Sequence, residues 1–293
     1  MMCNKDMFTL SFDVGDHSRG VSYALSIGLN APYALHQLLA LSARHLAALH
    51  PAKSANYLYL ATTLQTRALS LFNAAALAKK GAVDHSNCTA VVLFSSVLAH
   101  HLLADALTQR EDGEGLDGFL ARYLQAIETT RGVMVVSMAA WPLLMAIPEA
   151  APTIAAHAMF TMREGKGTHC QGVREVVDRA AGLTDAEREA CRVAARRLQV
   201  GCDAVEEEEK EDAYRFQMVF LWTMMASPEL TGLLAAKRPE ALVLLGYYAL
   251  LLYHARGMWQ VGDAGRYLLG LILGELSPEW HSYLEYPREK MAH

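Results

Sequence analysis

Aromatic and methionine side chains that could enclose an apolar ligand are concentrated in two segments of the sequence. Their spacing is helical, so several of them share one face of a helix. Rings with a polar tip, mixed with adaptable methionines, are typical of pockets for irregular apolar ligands, and the same pattern is also typical of ordinary core packing. The residues are Tyr214, Met218, Trp222 and Met225 in segment 213–225, and Tyr247, Tyr248, Tyr253, His254, Met258 and Trp259 in segment 241–259.

Other motifs with chemical potential lack the context that their chemistry needs. Residues 113–118 have the spacing GxGxxG, but a dinucleotide binds that motif only between a strand and a helix, and no βαβ pattern surrounds it. We interpret residues 108–118 as a flexible, acidic, glycine-rich loop. His101 and Asp105 lie four residues apart, yet a third metal ligand at helical spacing is missing. The sequence also contains no GxSxG or HExxH motif, and it predicts no metal and no cofactor.

The composition indicates a helical protein that does not bind nucleic acid. Hydrophobic residues make up 53% of the 293 positions, charged residues only 19%, and there are only 9 prolines. Alanine and leucine dominate, and these residues lose little conformational freedom in a helix. A formal net charge of −5 lacks the basic surface that nucleic-acid binding requires. We therefore predict an all-α fold and no nucleic-acid partner.

Cysteines and apolar stretches indicate an intracellular chain. The five cysteines, an odd number, are scattered without a CxxC pair, which favours reduced thiols. Lys5 is not followed by an apolar segment of the kind found in secretory signals. The apolar stretches 133–147 and 241–253 are shorter than the roughly 18 residues that cross a bilayer. We expect a cytoplasmic protein without a membrane span, and the sequence leaves a homodimer open.

Proline, glycine and capping residues divide the chain into roughly ten helices within one domain, residues 1–293. Pro51 separates two helices, and Lys79-Lys80-Gly81 ends the second of them. Segment 119–147 is predicted to be helical with a break near Arg131-Gly132. Thr184 and Glu187 form a capping box before a charged helix. Ser227, Arg238 and Asp263 begin three later helices, and Tyr286-Pro287 closes the chain.

Two stretches resemble the ligand-binding domain of fungal zinc-cluster transcription factors of the sterol-uptake-regulator type. The first is segment 32–47, which is similar to the LLAxSAxHLA helix of that family. The second is segment 239–287, with its Tyr/His helix at 247–254, its Trp-x-x-Gly-x-x-Gly turn at 259–265 and its final aromatic-proline pair. Arg131-Gly132 after Phe119-Leu120 is also similar to a pair in the middle of the family's domain.

The resemblance implies an all-helical domain that encloses a sterol or another apolar effector in its C-terminal half. It departs from the family in lacking the six-cysteine zinc cluster and the basic linker after it, so we expect no DNA binding. Asp263 and Tyr286 also stand where the family usually has tryptophan, which implies a reshaped pocket.

Three functions are compatible with these observations. The first is a stand-alone, cofactor-free enzyme of fungal secondary metabolism, such as a [4+2] cyclase or Diels-Alderase that folds a terpenoid or polyketide into a reactive shape. The second is a stand-alone binding domain that senses or carries an apolar metabolite. The third is the ligand-sensing regulatory domain of a transcription factor without its DNA-binding half, which would be nuclear. In each case, segments 214–226 and 241–257 are expected to be facing pocket walls. The predicted catalytic residues are His254 and Tyr248, and the predicted ligand contacts are Met218, Trp222, Met225, Tyr247, Leu251 and Trp259.

Overall fold

The computed structural model describes residues 17–110, 113–147, 162–206 and 212–292. In these ranges the regular backbone is helical, and no residue lies in a β-strand. The α-helices are α1 (His17–Asn30), α2 (Pro32–Leu49), α3 (Ser54–Ala78), α4 (Cys88–Thr108), α5 (Leu116–Met145), α6 (Gln171–Arg179), α7 (Asp185–Glu206), α8 (Asp212–Met224), α9 (Pro228–Ala235), α10 (Pro239–His254), α11 (Ala264–Glu275) and α12 (Glu285–Met291), with 3₁₀ helices at Pro51–Lys53 and Pro278–Leu284. The predicted all-α class is confirmed.

Contacts within the chain define two compact units. Among the described residues, unit 1 consists of 17–102, 129–147 and 162, and unit 2 consists of 103–110, 113–128, 163–206 and 212–292. Helices α4 and α5 therefore contribute residues to both units. The prediction of one domain over residues 1–293 stays a prediction.

In unit 1, α2 and α3 form a helical hairpin around Pro51. Proline at the first turn of α2 and of the 3₁₀ helix is compatible with helix initiation, because that position needs no N–H partner. Ala61 and Ala68 are the buried residues of α3, and such small side chains let two helices approach closely. A further core cluster joins the start of α4 to the end of α5 through Cys88, Val92, Ala140 and Leu144.

The turn between α3 and α4 is fixed by backbone conformation and side-chain caps. Gly81 has a φ of +75°, and its amide donates to the carbonyl of Ala76 at 2.8 Å, as expected for a glycine that ends a helix. Asp84 accepts from the Ser86 amide at 2.8 Å, and its own amide donates to the Asn87 side chain at 2.8 Å. The predicted end of α3 at residues 79–81 is confirmed.

Helix α10 lies at the centre of unit 2. Every residue from Glu240 to Tyr253 is buried, as expected for a helix that is apolar all round. Helix α11 approaches it so closely that a Cβ on Gly265 would lie 2.5 Å from both the Ala249 carbonyl oxygen and the Tyr253 amide nitrogen. Gly262, in the turn before α11, has a φ of +52°. Gly265 therefore allows α10 and α11 to pack closely, and Gly262 provides the left-handed backbone conformation of the turn.

Several predicted helix starts are confirmed. The amide of Thr184 donates to the Glu187 carboxylate at 2.8 Å, and the amide of Glu187 donates to the Thr184 hydroxyl at 3.2 Å. This reciprocal pair is a capping box at the start of α7. The Ser227 hydroxyl accepts from the Leu230 amide at 3.3 Å at the start of α9.

Two local predictions are wrong. Helix α5 runs without a break through Arg131-Gly132, because glycine weakens a helix by only about 1 kcal/mol and keeps its N–H donor. Residues 116–118, predicted to belong to a loop, form the first turn of α5 instead.

Tyr286 and Pro287 lie within the short helix α12, where proline is tolerated in the first turn.

Candidate functional site

Helices α8 and α10 bring several of the predicted pocket residues into direct contact. The ring of Trp222 stacks on that of Tyr248, with 4.4 Å between centroids and 18° between planes. Met218, Trp222 and Tyr248 are all buried. At this level the two helices pack against each other through aromatic rings.

The hydroxyl of Tyr248 belongs to a buried hydrogen-bond chain. It lies 3.0 Å from the Thr223 hydroxyl, which lies 3.1 Å from the hydroxyl of Tyr123. Tyr248 also donates to the main-chain carbonyl of Val219 at 3.2 Å. If Tyr123 donates to Thr223, Thr223 to Tyr248 and Tyr248 to Val219, each hydroxyl donates one hydrogen bond. Every member therefore has a partner inside the core, as buried hydroxyls require.

Burial controls the ionisation of these phenols. It raises the pKa of Tyr248 to about 12, even though hydrogen bonds to Thr223 and Tyr123 act in the opposite direction. Burial also raises the pKa of Tyr123 well above its usual range. Both side chains are neutral at physiological pH, and any catalytic part for Tyr248 is that of a hydrogen-bond donor.

The structure does not bring Tyr248 and His254 together. They are six residues apart on α10, which places them roughly 120° apart around the helix axis. His254 is the last residue of α10, half-buried, with its ring edge-on to Tyr253 at 5.8 Å between centroids. The catalytic roles of Tyr248 and His254 stay predictions.

The remaining predicted contacts of α10 and the following turn face different neighbours. Tyr247 stacks on Tyr286 with 6.1 Å between centroids, and burial raises the pKa of its phenol. Leu251 packs against Gly201 of α7, where an added Cβ would lie 2.6 Å from its side chain. Trp259 is half-buried in the turn after α10. Their ligand contacts stay predictions.

One cleft in unit 2 is lined by two of the predicted residues. Trp222 and Met225 face it together with Ala190 and Arg197 of α7, and its volume is about 320 Å³. The cleft lies between α7 and the α8–α9 corner. The expected wall from α10 is not among its lining residues.

A larger cavity lies in unit 1, and the sequence interpretation missed it. We call it the α3–α4 cavity. It has a volume of about 750 Å³ and is lined by the end of α1, the start of α2, the end of α3, the α3–α4 turn, the start of α4 and Val136 of α5. Most of the lining side chains are apolar or small, among them Ile27, Tyr33, Phe72, Ala76, Val83 and Val91.

The polar groups at the rim of the α3–α4 cavity bind one another. Lys79 forms an ion pair with Asp84 at 2.7 Å and also donates to the Ser86 hydroxyl. The hydrogen bond from Lys79, followed by those from Ser86, holds the pKa of Asp84 well below its usual range. The Asn87 amide donates to the Ala82 carbonyl at 3.0 Å. These contacts stabilise the turn that forms one wall.

Tyr33 differs from the rim residues because its hydroxyl has no hydrogen-bond partner among the described residues. The side chain is 8% exposed and lines the cavity. Its ring packs edge-on against Phe72 and Phe94, at 5.5 and 5.6 Å between centroids. Burial raises the pKa of Tyr33, which keeps the hydroxyl protonated.

One sequence feature could have indicated this cavity: several alanines line its walls together with an aromatic residue of another helix. Ala75 and Ala76 end α3, Ala82 follows in the turn and Ala90 begins α4, while Tyr33 lies at the start of α2. Such small side chains leave a cavity only if the helices that carry them do not move closer together and fill it. The sequence does not specify that separation.

The glycine-rich loop before α5 has a structural role. Glu114 pairs with Arg122 on α5 and accepts from the Tyr267 hydroxyl at 3.1 Å. Arg110 covers the Tyr267 ring at 4.0 Å and pairs with Asp263 at 3.1 Å. These contacts tie the described ends of the loop to α5 and α11. No group of three His, Cys, Asp or Glu side chains that could hold a metal occurs in the described ranges.

The length and hydropathy of α4 are sufficient for a membrane span. Within residues 17–110, 113–147, 162–206 and 212–292, it is the single helix that passes this test alone, and 78% of its most apolar window is buried. Met218–Met224 and Pro228–Ala235 pass together but are bent by 92°. Buried core helices also pass the test, so the prediction of no membrane span stays a prediction.

Comparison of the chain with protein-family models, curated proteins and solved structures finds no match. The resemblance to the fungal regulators stays a prediction.

Proposed function

We propose that this protein binds a bulky apolar small molecule in the α3–α4 cavity. The observation that carries the proposal is a half-open cavity of about 750 Å³ with mostly apolar walls. Pockets for drug-sized ligands have volumes of about 300–1,000 Å³, with apolar walls and a few polar groups. The 320 Å³ cleft at Trp222 and Met225 lies near the lower end of this range.

The ligand class is the one predicted from the sequence, but the proposed binding site lies in unit 1 and not in the C-terminal half. Sequence patterns favoured the C-terminal half, where Trp222 and Tyr248 are in ring contact. The α3–α4 cavity instead uses the 32–47 helix that also resembles the fungal regulators. A terpenoid, sterol-like molecule or polyketide has the size and polarity for such a space.

Two activities are compatible with this binding. A cofactor-free cyclase would hold a flexible polyene in a reactive fold against the apolar walls, and such positioning can by itself accelerate a reaction without charge separation. A sensing domain would transmit the bound state to a partner. The small number of polar lining groups favours reactions without charge separation over acid–base chemistry. Conversion of a linear polyene to a cyclic product by the purified protein would distinguish the cyclase from the sensor.

The binding proposal is tested by filling the cavity. Nile red, an apolar dye whose fluorescence rises in apolar surroundings, is titrated into wild-type protein and the Ala76→Phe variant. Ala76 is half-buried and lines the cavity, so the larger ring occupies ligand space. We expect the dye affinity to fall at least about tenfold, equivalent to about 1.4 kcal/mol.

The matched control is Ala74→Phe on the same helix. Ala74 is exposed and is not among the lining residues, so its variant adds the same ring outside the cavity. Its dye affinity is expected to equal that of the wild type. Circular dichroism and melting temperature check that both variants are folded. Equal dye affinity in wild type and folded Ala76→Phe would contradict the proposal.

A further inference from the structure

We infer that the ligand of the α3–α4 cavity is electrically neutral and carries an oxygen acceptor that binds the Tyr33 hydroxyl. This inference rests on the proposed function. It adds the polarity and charge of the ligand to its size, and it assigns to Tyr33 the part of a polar anchor.

The Tyr33 hydroxyl lies where an acceptor on a bound ligand can reach it. The side chain is 8% exposed and lines the cavity, while no described residue bonds its hydroxyl. A hydroxyl that faces the cavity loses its hydrogen bond to water when an apolar molecule fills the space, and an acceptor on the ligand replaces that bond. A purely hydrocarbon ligand would displace water and leave the hydroxyl without a partner.

The ring of Tyr33 is held in place by two phenylalanine rings. Phe72 and Phe94 stack on each other at 4.3 Å between centroids, and Tyr33 packs edge-on against both. Phe94 is 2% exposed, so this aromatic cluster extends into the core of unit 1. A donor on a fixed ring binds an acceptor with little loss of side-chain freedom.

The charged groups at the cavity disfavour an anionic ligand. Lys79 is the cationic residue among the described residues that line the cavity, and its ammonium group is paired with Asp84 at 2.7 Å. A carboxylate on the ligand would find this cation already compensated and would compete with Asp84 for it. Transfer of an uncompensated carboxylate from water into an apolar cavity is strongly unfavourable. A ketone, ester, ether or alcohol avoids this cost.

Three probes with the same terpenoid skeleton separate these effects. Methyl farnesoate has a neutral carbonyl acceptor, farnesoate has a carboxylate, and farnesene has no oxygen. Their dissociation constants are measured at neutral pH by displacement of Nile red from the wild type. We expect the ester to bind about 10-fold more tightly than farnesene and at least about 10-fold more tightly than farnesoate.

The residue test is Tyr33→Phe, which removes the hydroxyl and keeps the ring in its aromatic contacts. The variant is expected to bind farnesene as the wild type does or more tightly, and to lose most of the preference for the ester. Tyr59→Phe on the exposed part of α3, where Tyr59 is 77% exposed, is the control and should keep the full preference.

The outcomes distinguish this inference from the proposed function. If none of the three probes displaces the dye and Ala76→Phe binds the dye as the wild type does, the proposed site itself is wrong. If all probes bind and Ala76→Phe weakens them, while Tyr33→Phe keeps the full ester preference, the anchor role of Tyr33 is wrong. Farnesoate that binds as tightly as its ester would overturn the inference that the ligand is neutral.

Discussion

The indole ring of Trp222 stacks on the phenol ring of Tyr248. The indole Nε1 of Trp222 donates to the Ala194 carbonyl at 3.4 Å. One side chain of α8 therefore contacts both α10 and α7. The same residue faces the small cleft beside Met225. Because Trp222 is 3% exposed, its contribution to packing is larger than its contribution to the cleft surface.

Replacement of Trp222 by alanine is expected to destabilise the protein strongly. The change removes a buried indole and leaves a cavity, which typically costs about 3–5 kcal/mol. Urea denaturation at neutral pH measures the loss in the free energy of unfolding. Trp280→Ala is the control: Trp280 is half-buried in the 3₁₀ helix Pro278–Leu284, and its loss should cost less. A cost below about 1 kcal/mol for Trp222→Ala would show that this ring is not packed as described.

The buried phenol of Tyr248 is expected to make stability sensitive to alkaline pH. Its pKa is about 12 in the folded protein against an ordinary value of 10.0, so the folded state favours the protonated form. The resulting stabilisation is complete below pH 10.0 and is lost as the pH rises from 10.0 towards about 12. For one such group the free energy of unfolding falls by up to about 1.4 kcal/mol per pH unit.

Tyr248→Phe removes this titration and should make the decrease of stability with pH in that window less steep, while the other buried tyrosines keep their part of it. It also shortens the buried hydrogen-bond chain, with a loss of about 1 kcal/mol at neutral pH. Denaturation series at neutral pH and at several alkaline pH values measure both effects. Tyr59→Phe, at an exposed position, should leave the slope unchanged. An unchanged slope in Tyr248→Phe would contradict the burial of this phenol.

Helix boundaries were predictable where short-range chemistry determines them. The capping box of Thr184 and Glu187 and the cap at Ser227 use atoms three residues apart, and the structure contains both. The predicted break at Gly132 was wrong because the weak helix propensity of one glycine is overridden by the surrounding helix. Local signals therefore identify caps more reliably than breaks.

The candidate site depends on contacts that no local pattern specifies. Thr223 meets Tyr123, which lies 100 residues earlier in the sequence, and this contact places the Tyr248 hydroxyl in a buried chain. The α3–α4 cavity likewise depends on how far the alanines that end α3 lie from Tyr33. Helical periodicity indicated Met218, Trp222 and Met225 as neighbours on one face, and the first two are buried while Met225 is 36% exposed. The space between helices follows from packing over the whole unit.

The close approach of α11 to α10 gives the last prediction, on Gly265→Ala. An added Cβ would lie 2.5 Å from the Ala249 oxygen and 2.9 Å from the Tyr253 Cα, and these are backbone atoms that cannot rotate away. The helices must separate, which typically costs about 1–3 kcal/mol. Gly270→Ala is a matched control on the same helix, because Gly270 is exposed and no atom lies within 4 Å of its added Cβ. There alanine should stabilise the helix by about 0.5–1 kcal/mol. Melting temperatures should therefore shift in opposite directions, and a Gly265→Ala variant as stable as the wild type would rule out the described contact between α10 and α11.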